Sequence, residues 1–243
     1  SDFITYKNVW LAPFSQVDEL RKIGDQFAGE GPTLMTEYSV FGSRYFLRDM
    51  DAEAVSELRV HVIPTLDGNQ VPKGFAADID LFDHSTIDYF KTLVLRKSPT
   101  ASRPPLNYEI VHSGQHYEVW RRVDRKVLVK STLPLGNNFY PGIVPTCDQV
   151  SSYLSTLVEG DQVFAAYRSR DYVINFADGD LPPTWYPTNP FTGGVDRVGS
   201  GGFSRSFTVD GTDKYDLSIA GSFPGLLKIL VDGVQIFSGH SIT

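Results

Sequence analysis

The chain has 243 residues, 41% of them hydrophobic and 21% charged, with a formal net charge of −7; these are ordinary figures for a globular protein of one large or two small domains. The acidity argues against a nucleic-acid groove, which needs clustered Lys and Arg, and no run approaches the roughly 18 apolar residues of a membrane span. Cys147 is the only cysteine, which excludes an intrachain disulfide and a multi-cysteine zinc site, while Ser1-Asp2-Phe3 is compatible with a mature start after removal of a targeting segment.

In chain order, the spacing of Val17, Leu20, Ile23 and Phe27 predicts a helix over 15–27, with Ser15 as N-cap and Asp18 in the first turn. Gly29-Glu30-Gly31-Pro32 stops it, and the apolar run that follows predicts a buried strand over 33–38. Asp51 with Val55 and Leu58 predicts a short helix over 52–59. Residues 64–74, with Asp67-Gly68-Asn69 and two prolines, read as loop, and 91–97 as a strand around Leu93, Val94 and Leu95. Arg103-Pro104-Pro105 is an extended break. Residues 108–111 and 116–120 flank Ser113-Gly114 as a hairpin.

Residues 126–160 change character to an irregular crossing and one helix over 148–158, expected to turn Val150, Leu154, Leu157 and Val158 inward. Beyond Asp161 the helical period disappears. Short strands are expected at 163–165, 172–176, 203–209 and 215–219, the last two from period-two alternation. Residues 181–190 hold four prolines around Trp185 and Tyr186, which predicts a loop. Residues 227–231 and 234–237 flank Asp232-Gly233, the strongest short hairpin signal in the chain. The expected organisation is a mixed α/β domain over 1–125, a connector with a bracing helix over 126–160, and an antiparallel, jelly-roll-like β-sandwich over 161–243.

Four places attract a functional reading. Asp78, Asp80, Asp83 and His84 cluster hard and borderline ligands suited to a structural Ca2+ or another metal, although the glycine and closing glutamate of a helix-loop-helix calcium site are missing; the competing reading is a polar loop that caps the next element. Glu37 and Tyr38 follow an apolar strand, where α/β sheets gather ligands, so Glu37 is either a pocket carboxylate or the partner of Arg44 or Arg48. His112 and His116 bracket a turn expected to face solvent, and no nearby serine has the glycine-rich elbow of a hydrolase. Gly199-Ser200-Gly201-Gly202 lacks the following lysine and helix of a phosphate loop. The basic runs Arg96-Lys97 and Arg121-Arg122 with Arg125-Lys126 read as solvated strand ends.

Trp185 and Tyr186 stand near Asp178, Asp180 and Asn189. Flat aromatic rings stack on the C–H faces of sugars while Asp and Asn take the hydroxyls, so the set suits glycan contact; otherwise Trp185 plugs a sandwich end.

Several phrases carry a resemblance. They are Phe27-Ala28-Gly29-Glu30-Gly31-Pro32-Thr33-Leu34-Met35-Thr36-Glu37-Tyr38 and Arg44-Tyr45-Phe46-Leu47-Arg48-Asp49-Met50-Asp51, then Leu93-Val94-Leu95-Arg96-Lys97-Ser98-Pro99, Ser102-Arg103-Pro104-Pro105 and Tyr117-Glu118-Val119-Trp120-Arg121-Arg122. Together they resemble the soluble C-terminal region of actinobacterial polytopic membrane proteins similar to C-superfamily glycosyltransferases. Lys214-Tyr215-Asp216-Leu217-Ser218-Ile219-Ala220-Gly221-Ser222-Phe223 with Val231-Asp232-Gly233 looks like the carbohydrate-binding-module-like sandwich that ends such proteins.

The resemblance implies a non-catalytic, extracytoplasmic accessory domain, tethered to the membrane through its parent. It implies cell-envelope polysaccharide or glycolipid and the parent's transmembrane portion as partners, with no cofactor for the domain itself. Family catalysis sits on an acidic loop of the transmembrane part, which is absent from these residues. Further strands, and a partner for Cys147, are expected beyond Thr243. The residues by themselves leave two rivals open, a metal-assisted hydrolase built on Glu37 and the 78–84 cluster and a structural domain of an envelope assembly.

Overall fold

A computed structural model describes residues 8–9, 12–37, 42–55, 61–73, 77–98, 101–123, 129, 131–133, 145–164, 185–187, 195–197, 204, 206–209, 215, 217 and 226–240. The strands are β1 (Asn8–Val9), β2 (Ala12–Pro13), β3 (Thr33–Met35), β4 (Ala52–Ala54), β5 (Thr92–Arg96), β6 (Tyr108–Ser113), β7 (Tyr117–Arg122), β8 (Trp185–Pro187), β9 (Val195–Arg197), β10 (Leu226–Val231) and β11 (Val234–His240). The helices are α1 (Phe14–Gln26), α2 (His84–Ile87) and α3 (Cys147–Ser155), with a π-helical turn at Gly42–Phe46 and 3-10 turns at Arg48–Met50 and Ile79–Leu81. The fold is mixed α/β. Among the described residues, a five-stranded mixed sheet, order β4-β3-β5-β7-β6, is accompanied by three two-stranded antiparallel sheets, β1-β2, β8-β9 and β10-β11. No helix among the described residues is long and apolar enough to cross a membrane.

β3 lies parallel to both β4 and β5, whereas β7 runs antiparallel to β5 and to β6. A strand covered on both faces needs apolar residues at every position. That is why Leu34 and Met35, or Leu93 and Val94, follow one another directly. Leu34, Leu93 and Leu95 join Phe82, Ile87, Phe90 and Tyr108 on one face. Met35, Val94 and Val119 meet Leu20 and Ile23 of α1, and Phe27 just after it, on the other. The predicted inward face of α1 is therefore the observed one, and Gly24 lets the helix approach the Phe46 carbonyl closely enough that a Cβ would overlap it. The outer face carries Arg21–Asp18 and Lys22–Asp18 ion pairs at 2.9 and 2.7 Å, exposed contacts that solvent screens and that add little to stability.

Several expectations change. Residues 52–54 form β4 rather than the start of a helix, pairing Thr33 with Ala52 and Met35 with Ala54; a helix this short nucleates poorly, and the open edge of β3 offers the same backbone groups ladder partners. Ser15 lies inside α1 instead of capping it. α3 begins with a capping box between Thr146 and Gln149, a local device that needs no tertiary support. It buries none of its residues: Val150 is 37% and Leu154 46% exposed, and Val158, past its end, is 63% exposed, so no core packs on it among the described residues. Val163 and Phe164 are exposed and belong to no strand. Residues 206–209 are irregular, with Phe207 exposed, and so are Tyr215 and Leu217. The expected strand at 172–176 lies outside the described residues.

The Asp232-Gly233 hairpin forms as predicted. Both turn residues take positive φ, 49° and 80°, as a two-residue turn matched to strand twist requires.

Candidate functional site

β3 and β5 point their carboxyl ends the same way, and β7 starts beside them. Glu37, just past β3, Arg96, at the end of β5, and Tyr117, opening β7, are thereby brought together. The Tyr117 hydroxyl donates to Glu37 Oε2 at 2.7 Å, and Arg96 Nη1 lies 3.9 Å from Glu37 Oε1. The Arg96 guanidinium also stacks over the Tyr117 ring, 5.4 Å from its centroid. Burial, reinforced by the neighbouring Glu37 carboxylate, pushes the Tyr117 phenol well above its ordinary pKa, so it stays a neutral donor. Glu37 thus sits where a strand-end carboxylate was expected, but its ion-pair partner is Arg96, not Arg44 or Arg48. Tyr38 lies outside the described residues.

The turn carrying His116 faces solvent at Ser113 and Gln115, as expected, but is partly covered on the α1 side. Glu19 of α1 accepts hydrogen bonds from the backbone N–H groups of His116 and Tyr117, at 3.0 and 2.9 Å. Gly114 leaves room for that carboxylate, since a Cβ there would strike Glu19 Oε1. His116 Nε2 lies 3.1 Å from Ser15 Oγ, and His112 packs edge-on against Phe27. Ser15 and His116 form a dyad in contact only. His116 Nδ1 meets no carboxylate among the described residues, so the third member of a hydrolase triad is missing.

A small cleft beside Arg96 is lined by Thr36, Asp78, Leu95 and Ser102. Asp78 is buried there, with one oxygen accepting from the Asp80 N–H at 3.2 Å and the other from the Ser102 N–H at 3.1 Å. It caps the 3-10 turn Ile79–Leu81 and ties it to the loop before β6. Asp83 likewise caps α2, accepting from the Ser85 N–H at 2.8 Å, and the Ser85 hydroxyl and N–H hold its carboxyl below the usual range. His84 points elsewhere, with Nε2 2.6 Å from Thr132 Oγ1. The polar 78–84 segment therefore serves as two caps, and no three His, Cys, Asp or Glu side chains converge as metal ligands among the described residues.

The chain matches no protein-family model, no curated protein and no solved structure.

Trp185 and Tyr186, expected in a loop, lie on β8. Their backbones pair with Arg197 and Asp196 of β9. Asp178, Asp180 and Asn189 lie outside the described residues. The residue pattern assigns no functional role to Arg96, Tyr117 or Ser15, which it places in a basic run, a hairpin strand and a helix cap. Arg96 carried a usable signal, a cation closing an otherwise apolar parallel strand, but it was set aside as part of a solvated basic run.

Buried His84 and half-buried His116 make a pH dependence measurable. Burial, its largest cause, lowers the pKa of His84 below 6.5 against the opposing pull of Asp88 and Asp83, and its buried Nδ1 has no hydrogen-bond partner among the described residues. Burial followed by Arg96 lowers that of His116, against Glu19 and Glu37. Both folded values lie below the unfolded ones, so the stability is fully present above the unfolded pKa and is lost as pH falls through the folded values. Acidification from pH 7 to about 5 should lower the denaturant midpoint, and His84→Gln should flatten part of that slope. A midpoint that stays level over this interval in the parent protein would exclude the effect. The depressed Asp83 carboxyl adds a second loss below its ordinary 3.8.

Proposed function

We propose that the protein is a non-catalytic, extracytoplasmic accessory domain of a membrane glycosyltransferase-like protein, and that its C-terminal half holds cell-envelope glycan for the parent's transmembrane portion. The observation that carries this reading is the placement of Trp185 and Tyr186 on a paired strand. Ladder pairing with β9 fixes the backbone that carries Trp185, so less ordering entropy is lost when a sugar stacks on its ring. The β10-β11 hairpin supports the sandwich part of the reading. An isolated two-stranded hairpin is marginal in water, and this one exposes Val231, Val234 and Phe237 on one face, apolar surface that a facing sheet would cover.

A metal-assisted hydrolase is less well supported. Asp78 and Asp83 would have to release the backbone N–H groups they cap before binding a cation.

Calorimetric titration with arabinan, galactan and mannan fragments tests the reading. One of the three should bind, and Trp185→Ala should weaken it by about tenfold or more, equivalent to about 1.4 kcal/mol of stacking. Absence of binding to every polymer, or unchanged affinity in the variant, would overturn it.

A further inference from the structure

At the opposite end of the five-stranded sheet from Glu37, a cleft of about 400 Å³ opens between Glu30, Lys91, Thr92, Arg121 and Arg122. Topology assembles it. Glu30 precedes β3, Lys91 precedes β5, and the two arginines close β7, which runs antiparallel to β5 and so ends where β5 begins. The Arg122 N–H donates to the Lys91 carbonyl at 2.8 Å, which places those two residues side by side.

The lining holds three cations and one carboxylate, and that carboxylate is already taken. Arg121 grips Glu30 with Nε at 2.9 Å from Oε2 and Nη2 at 2.7 Å from Oε1, a two-pronged pairing that fixes both side chains. Glu30 is held in turn from its backbone, whose carbonyl accepts from the Thr92 hydroxyl at 2.8 Å. Glu109 stands opposite Arg121 on β6 and adds negative charge at the rim. Lys91 and Arg122 have no carboxylate partner among the described residues. Grouping like charges raises the energy of the empty cleft, and an anion between them would relieve it. In a chain of net charge −7, two unneutralised cations beside a braced third are a local reversal of the field.

We propose that this cleft binds an oxyanion of phosphate or sulfate size carried on a larger ligand. Lys91 and Arg122 are the direct partners, and the Glu30–Arg121 pair is the preorganised wall. Arg122 offers a planar fork of donors and Lys91 a compact point charge, a combination suited to a tetrahedral oxyanion. The open mouth leaves room for the moiety that bears the anion. The site is separate from β8, and the inference does not depend on the glycan reading.

Amide NMR titration of the full chain with inorganic phosphate, at constant ionic strength, is the test. Saturable shifts at Thr92, Arg121 and Arg122 are expected. Lys91→Met and Arg122→Gln should each weaken binding by about tenfold, while Lys228→Ala on β10 should leave it unchanged. Circular dichroism of each variant separates lost binding from lost fold. Parallel arms with a hexose 6-phosphate, and with phosphatidylglycerol vesicles against phosphatidylcholine vesicles, identify the carrier as whichever binds more tightly than free phosphate. Non-saturable shifts, or Lys91→Met and Arg122→Gln variants that bind every arm like the parent, would overturn the proposal.

Discussion

Phe90→Ala should lower the unfolding free energy by about 3–5 kcal/mol, by removing a ring from the sheet's second core, the one on the face away from α1. Phe90 is fully buried, in the cluster that contains Phe82, Ile87, Leu34 and Leu93. Its ring meets Tyr89 and His61 edge-on, at centroid distances of 5.2 and 6.2 Å. Around it the backbone is fixed by the Tyr108 hydroxyl, whose single proton is shared between the Ile87 and Phe90 carbonyls at 2.9 and 2.6 Å. That three-centre bond holds the segment after α2 against β6, so the walls cannot collapse fully into the space the ring leaves, and the cavity term stays large. Urea denaturation followed by circular dichroism measures the change. A loss below about 1.5 kcal/mol would mean that the cluster repacks, and the account of a rigid second core would be wrong.

Gly31→Ala should destabilise by about 1–3 kcal/mol and loosen the anion cleft as well. A Cβ on Gly31 would strike the Met50 carbonyl oxygen and crowd Asp51 Cβ. Neither neighbour can swing away, because Gly29 N–H bonds to the Asp49 carbonyl at 2.7 Å and Thr33 N–H to the Asp51 carbonyl at 3.1 Å. The strain must move the loop that carries Glu30, and Arg121 loses its fixed partner with it. The variant should therefore show both a lower denaturation midpoint and weaker phosphate shifts at Arg121. Parent-like stability would show that the close approach is not needed.

Local pattern was enough wherever the determining contacts are local. The α1 face, the apolar strands β3 and β5, the β6-β7 and β10-β11 hairpins and the capping role of Asp78 and Asp83 all rest on neighbours a few residues apart. The same method misread residues 52–54 and the exposed face of α3, where an amphipathic period was present. A period says which residues share a face; it does not say whether anything packs against that face.

The candidate sites divide in the same way. A carboxylate at Glu37 and adjoining basic residues at Arg121 and Arg122 were legible from the sequence, because charge at a strand end is a local signal. Their partners were not. Tyr117 reaches Glu37 across 80 residues, His116 reaches Ser15 across 101, and Arg121 reaches Glu30 across 91. By itself the sequence determined the composition of the core, the turns and the caps, which follow from steric and hydrogen-bonding preferences within one turn of chain. The order β4-β3-β5-β7-β6 decided which charges meet, because that order places distant strand ends side by side and no local preference encodes it.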